Sequence, residues 1–228
     1  MKTFLRWCVL GIGLISGCTN SQSKSTKGDA PDRSAICENA SQDFSCAQKV
    51  EQEYLRYYAD LVTKEKEHTL VLKLKNGKTK VYVDVLSESY ETAISYNFVD
   101  YLDSLNFYVL RMQYYEGCGF LLIDQKDGQE YPIGSFPILS PNGAAFVCTY
   151  SDVAAQYNLN SIQVWHMSDR KPVLAYEFNP EKWGPSDAVW DGNNRIKISR
   201  MGFDQNAFKE IALPSTQLNM VEGRWKLQ

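Results

Sequence analysis

Ile138-Leu139-Ser140-Pro141-Asn142-Gly143-Ala144-Ala145-Phe146-Val147 holds two apolar residues, a polar turn and then an apolar strand. The same order occurs twice more, in Tyr101-Leu102-Asp103-Ser104-Leu105-Asn106-Phe107-Tyr108-Val109-Leu110 and in Val189-Trp190-Asp191-Gly192-Asn193-Asn194-Arg195-Ile196-Lys197-Ile198. The starts at 101, 138 and 189 place the units 37 and 51 residues apart, within or near the period of propeller blades. Further strands follow each turn. In the first unit these are Phe107–Tyr115, Phe120–Asp124 and Gln129–Ile133, with Asp127-Gly128 as a turn; in the second they are Ala144–Tyr150, Ile162–Met167 and Val173–Phe178, with a turn at Asp169-Arg170. The polar excursions Asp152–Asn160 and Asn179–Ser186 lengthen the second unit. This pattern, with fourteen tyrosines, ten phenylalanines and five tryptophans, predicts a mainly β chain. Its body is expected to be an antiparallel β-propeller-like or curved multi-sheet domain with a short N-terminal helix. Three blade-like units and a hairpin fall at or below the smallest usual propeller, so closure of a ring is left open.

Upstream of the repeats, Leu70-Val71-Leu72-Lys73-Leu74-Lys75 and Lys78-Thr79-Lys80-Val81-Tyr82-Val83 flank Asn76-Gly77, a strong hairpin signal. A two-residue loop would set Leu72 against Val81, Leu70 against Val83 and Leu74 against Thr79. The other face would then carry Lys73, Lys75, Lys78 and Lys80, a basic edge in solvent.

Further upstream, Ser45-Cys46-Ala47-Gln48 has the form of a capping box. Ala47, Val50, Tyr54, Tyr57, Tyr58 and Leu61 then recur at helical spacing and predict a helix over about 45–63 with one aromatic face. Cys37, Cys46, Cys118 and Cys148 make an even set beyond Cys8 and Cys18, and an exported chain is free to pair them. Proximity favours Cys37–Cys46, clipping a loop to the helix start, and leaves Cys118–Cys148 to join the first two repeats. Four reduced thiols remain the alternative.

Met1, Lys2 and Arg6 precede the apolar run Trp7–Ile15. Such a run rises only about 14 Å as a helix, against a hydrocarbon core of roughly 30 Å. Residues 1–17 therefore read as a signal peptide, not a membrane span. Apart from Pro31, Thr19–Arg33 has no apolar residue larger than Ala30 and cannot offset the entropy of ordering, so residues 18–33 read as a flexible tether. The remaining division is a cysteine-clipped helical segment over 34–66 and the propeller-like β domain over 67–228.

Ile15-Ser16-Gly17-Cys18 resembles the lipobox of bacterial lipoproteins. That resemblance implies Cys18 as the first mature residue and the site of lipidation. Thr19, standing where inner-membrane lipoproteins carry aspartate, implies sorting to the outer membrane, lipid-anchored and facing the periplasm or the cell surface. Ser140-Pro141-Asn142-Gly143 resembles the turn of periplasmic β-propellers such as those of the Tol–Pal system. The segment around Cys37, Cys46 and the following helix resembles the small helical domains of periplasmic lysozyme inhibitors. The whole order, from lipobox through the Asn76-Gly77 hairpin to Trp183-Gly184-Pro185-Ser186-Asp187 and Trp190, resembles a group of uncharacterised envelope lipoproteins.

Chemistry is sparse. His68 ends the charged run Lys64-Glu65-Lys66-Glu67, and His166 shares a strand face with Ile162 and Val164, the setting of a half-buried packing residue. Nucleophilic catalysis needs a base beside the nucleophile, and no Gly-x-Ser-x-Gly elbow, His-Glu-x-x-His helix or phosphate loop occurs. Asp187, Asp191, Asn193 and Asn194 lack calcium-loop spacing and suit a turn without metal. No catalytic residue, metal or cofactor is expected. A net charge of −3 argues against nucleic acid as a partner. The residues expected to bind a ligand are loop groups of the second repeat: Asp152, Tyr157, Asn158, Asn160, Trp183 and Asp187. For Trp183 and Trp190, packing between blades is the competing role. The expected partners are the membrane, through the lipid anchor, and an envelope protein or glycan. The function that fits is a non-enzymatic binding or assembly module. The alternatives are an inhibitor of a lysozyme-like hydrolase and an enzyme whose motif is not evident.

Overall fold

A computed structural model describes residues 30–37, 43–66, 68–87, 90–115 and 117–228. The signal peptide, Cys18 and nearly all of the tether lie outside the described residues, as do the side chains of Cys37 and Ser45. Two helices come first, α1 (Arg33–Cys37) and α2 (Asp43–Tyr57). The strands then fall in chain order into four antiparallel sheets. The first is β1 (Val62–Glu65), β2 (Thr69–Lys73) and β3 (Thr79–Val83). The second is β4 (Ser95–Leu102), β5 (Phe107–Gln113), β6 (Cys118–Asp124) and β7 (Glu130–Ile133). The third is β8 (Ile138–Leu139), β9 (Ala145–Tyr150), β10 (Ser161–Ser168) and β11 (Lys171–Phe178). The fourth is β12 (Gly184–Trp190), β13 (Arg195–Asp204), β14 (Lys209–Val221) and β15 (Arg224–Leu227). Each strand pairs with its sequence neighbour, and none of the four sheets closes on itself.

The three sequence repeats occupy one structural position. Each is the hairpin between the first two strands of a four-stranded sheet: β4–β5, β8–β9 and β12–β13. Each turn contains one residue in the left-handed region, Asn106 (φ 60°), Gly143 (φ 67°) and Gly192 (φ 70°). Asn and Gly enter that region at little cost, which is why the repeats carry them.

Neighbouring sheets pack face to face in a row. Tyr54 and Tyr58 of α2, with Leu70 and Leu72 of the first sheet, bury against Phe98, Tyr108 and Leu110 of the second. Phe107, Val109 and Leu122 of the second meet Phe146 and Cys148 of the third. Val147, Ile162 and Val164 of the third meet Ile196, Ile198 and Leu218 of the fourth. Successive side chains of a strand point to opposite faces. Phe146 and Cys148 thus serve one interface while Val147 serves the other. The two middle sheets are buried on both faces, so Phe107–Leu110 and Ala145–Cys148 are continuous apolar runs.

Several expectations are corrected. The helix spans Asp43–Tyr57 instead of 45–63, so Ser45 lies inside it and does not cap it. After Tyr58 the chain turns, with Leu61 N and Val62 N both donating to Tyr58 O (2.8 and 2.9 Å), and Val62-Thr63 opens β1. The boundary between helix and β body therefore precedes residue 62. Arg33, assigned to the tether, is held to the body: its guanidinium pairs with Asp100 at 3.0 Å and donates to Val99 O at 2.6 Å.

The Asn76-Gly77 hairpin is slipped by one residue from the expected register. Leu70 faces Tyr82, Leu72 faces Lys80 and Lys73 faces Thr79. The reason is the turn: Leu74 N donates to Lys78 O (2.8 Å), leaving three loop residues with Gly77 at φ 78°. This is the three-residue loop with a glycine bulge, not the two-residue one. A one-residue slip reverses facing, so Val81 and Val83 are exposed while Tyr82 is buried. The lysines do not form one face. Lys80 turns inward to Glu130 (2.8 Å), whereas Lys73 lies on the outer side with Val81.

Cys118 and Cys148 are both free thiols, so the expected Cys118–Cys148 bridge is absent. Cys148 is fully buried between the second and third sheets, and burial pushes its thiol up to about 12. Cys118 opens β6 within electrostatic reach of Tyr150, two residues beyond Cys148 on β9. Cys46 is disulfide-bonded; the expected Cys37–Cys46 pairing falls on a side chain outside the described residues.

Candidate functional site

The connection between the second and third strands of a sheet emerges at the same end in each repeat. Tyr114, Tyr115 and Gly117 of the β5–β6 turn, the β9–β10 loop (151–160) and the β13–β14 turn (205–208) gather there, joined by the β11–β12 link (179–183). Between the latter three lies a cleft of about 540 Å³, with Leu159, Asn160, Pro180, Lys182 and Phe203 among its walls.

The polar residues singled out in the sequence hold these loops together. Asp152 accepts from four backbone N–H groups, those of Ala155 and Gln156 on Oδ1 and those of Tyr157 and Asn158 on Oδ2 (2.9–3.2 Å). Both its oxygens are engaged in shaping the loop. Asn160 Oδ1 accepts from Asp152 N (2.7 Å), and Asn160 Nδ2 donates to Pro180 O (3.2 Å), tying two loops together. Asn158 Nδ2 donates to Tyr150 Oη (3.3 Å). It also lies where a Cβ on Gly117 would fall, at 2.4 Å, so the β5–β6 turn fits against it only as glycine. Burial, with Cys118 and Asp152 nearby, raises the Tyr150 phenol, and the Asn158 contact opposes the shift.

The structure separates the remaining candidates. Tyr157 is 64% exposed at the rim of the loop. Trp183 is partly buried against the core between the third and fourth sheets, with its ring 6.3 Å from Phe178 and the Arg200 guanidinium 4.5 Å above it. Trp190 packs between sheets, donating Nε1–H to Ile138 O (2.9 Å) beside Trp225. His166 is likewise a packing residue, accepting from Trp225 Nε1 at 3.0 Å. Asp187 stands on β12, where its Oδ1 accepts from Ala188 N, and it does not line the cleft. Asp191 pairs with Arg195 (3.1 Å), and Asn193 Oδ1 accepts from Asn142 N. Among the described residues no group of three or more His, Cys, Asp or Glu is arranged to hold a metal ion.

What sequence reading missed is apolar exposure on the same loops: Leu159 at 76% and Phe208 at 84%. Phe208 stands beside Phe203 of the cleft wall, ring to ring at 6.4 Å. Tyr115, on the β5–β6 turn, is exposed as well. The available signal was a large apolar residue inside a polar turn, as Leu159 in the Asp152–Asn160 excursion and Phe208 after Asp204-Gln205-Asn206.

A second cleft, of about 930 Å³, runs between α2 and the β4 edge of the second sheet. It is lined by contacts that the sequence did not foretell: the Glu51–Lys64 ion pair at 2.7 Å and a His68 Nδ1–Asp84 hydrogen bond at 3.1 Å, with Arg33 of the Arg33–Asp100 pair at one end. Glu51 also accepts from Phe98 N (2.9 Å) and so pins α2 to β4.

No family model matches the chain, and neither a curated protein nor a solved structure matches it. No helix among the described residues is long and apolar enough to cross a membrane.

Proposed function

We propose that this chain is a lipid-anchored protein of the bacterial outer membrane that serves as a binding or assembly module without turnover, its β domain propeller-like. The observation that carries the reading is the loop end of the sheets. Equivalent connections meet there, are fastened by Asp152, Asn158 and Asn160, and present exposed Tyr157, Leu159 and Phe208 around a cleft. Rigidly supported loops bearing large apolar side chains are a common form of recognition surface. Tyrosine in particular gives contact area at small entropic cost. The propeller-like description is supported by three sequential four-stranded sheets that share one turn motif and pack face to face. The anchor is supported by the lipobox-like Ile15-Ser16-Gly17-Cys18, and an oxidising compartment by the bonded Cys46.

The test has two arms. Incorporation of labelled palmitate should be lost in Cys18→Ala; persistence would remove the anchor. Crosslinking in intact cells should capture an envelope partner, and Tyr157→Ala with Leu159→Ser should weaken capture while leaving the melting temperature nearly unchanged. Capture indifferent to both substitutions would move the recognition surface elsewhere. Turnover of an envelope substrate by the purified chain would favour an enzyme.

A further inference from the structure

Among the described residues, the larger cleft contains a cation without an anion. Arg33 and Lys64 have carboxylate partners, as does His68. Arg111, on β5, has none among the described residues: Nη2 donates to Gln113 Oε1 at 2.5 Å, while Nε is buried and neither it nor Nη1 makes a hydrogen bond to another described residue. The guanidinium is nevertheless held in place. Gln113 Nε2 donates to Tyr114 O and Gly117 O, both at 2.8 Å, which turns Oε1 toward Arg111. Beside it on the same face of the sheet, Asn97 is the direct cross-strand partner of Arg111 and Ser95 that of Gln113. Both line the cleft, and neither side chain is hydrogen-bonded to another described residue. Phe120 flanks Arg111 on the opposite strand, and Phe136 lies on the cleft wall.

An oriented guanidinium, two unengaged polar groups and aromatic walls form the usual composition of a small-molecule site, and the volume lies within its usual range. A planar fork with no second unpaired cation nearby matches a carboxylate better than a doubly charged phosphate. We propose that this cleft binds a small monocarboxylate with an aromatic or branched apolar body. The carboxylate sits on Arg111, Asn97 and Ser95 hydrogen-bond the groups next to it, and Phe120 covers the body, with Phe136, whose ring carries the Arg33 guanidinium at 4.4 Å, at its margin. The site adjoins the loop end through the Gln113 bonds to Tyr114 O and Gly117 O, but its lining shares no residue with the loop cleft, and it does not depend on the role proposed for that cleft.

The test is calorimetric titration of the mature chain with 3-phenylpropanoate, its primary amide and benzylphosphonate. A short peptide ending in phenylalanine, as free acid and as amide, distinguishes a chain terminus from a free metabolite as the carboxylate source. Saturable binding of a carboxylate is expected, with the matching amide and the phosphonate about tenfold or more weaker. Arg111→Gln should abolish binding, and Asn97→Ala should weaken it. If Arg111→Gln fails to fold, Arg111→Lys, which keeps the charge and loses the fork, should show the same loss. Absence of saturable binding by any carboxylate, equal binding of acid and amide, or full affinity in the Arg111 variant would overturn the proposal.

Discussion

Gly184→Ala should destabilise the protein through one close approach. Gly184 opens β12 where the link from β11 passes the β9–β10 loop. A Cβ built there would lie 1.9 Å from Ser151 Oγ, 2.7 Å from Ser151 Cβ and 2.9 Å from Asn160 Oδ1. Rotating Ser151 relieves the hydroxyl contact but not the one to its Cβ. Asn160 has little freedom to yield, because its amide holds Asp152 N and Pro180 O. Gly184 does not adopt the left-handed backbone, so the penalty is steric and not conformational. Overpacking of this kind costs about 1–3 kcal/mol. For a chain of this size that corresponds to a fall in Tm of roughly 2–12 °C. The assay is thermal unfolding of the mature chain followed by circular dichroism, with Ser151→Gly as the second edge of a double-mutant cycle. Ser151→Gly removes both serine atoms in the way, so the double variant should recover part of the loss as a coupling of about 0.5–3 kcal/mol. A Gly184→Ala melt indistinguishable from wild type, or a double variant no better than the sum of the singles, would refute the argument.

Glu130 accepts from Lys80 and Tyr82. Burial raises its carboxyl, but these two contacts outweigh it and hold the group below its ordinary 4.5. A lowered folded value means stability that is present above the ordinary carboxylate pKa and lost as pH falls through the folded one; Glu130→Gln should thus lower Tm near pH 7 by a gap that narrows as the solution is acidified below that range, and a gap constant across the acid series would exclude the charge as cause. Cys148, its thiol pushed up to about 12 by burial, should resist alkylation at about pH 8 until the chain is denatured, and labelling of the native protein at the rate of an open thiol would contradict its placement. Tyr58 donates to Asp103 (3.0 Å) from a position only 2% exposed, so Tyr58→Phe should cost about 1.5–3 kcal/mol in denaturant unfolding; an unchanged midpoint would mean the bond carries no net stability.

The sheets were legible because their signals are local. Alternation, turn residues and the repeated motif each depend on a few adjacent positions, and Asn106, Gly143 and Gly192 mark the turns through their own backbone preference. The hairpin register was less legible. Two-residue and three-residue loops both use glycine after asparagine, and the choice fell to packing, which buries Tyr82 and Leu72 and brings Lys80 to Glu130. The larger cleft left only a faint trace, a charged Arg111 inside the otherwise apolar run from Phe107 to Met112.

The sequence by itself determined the class of fold, the order of strands and the places where loops would project, since these follow from residue preferences over short stretches. Tertiary structure alone decided which groups meet. It placed Asp152 and Asn160 as fasteners of loops, left Tyr157, Leu159 and Phe208 in the open, and left Cys118 and Cys148 as free thiols. It also gave Glu51 and Lys64 to each other and left Arg111 without a counter-ion. Those outcomes depend on distances between residues far apart in the chain, and such distances exist only once the sheets have packed.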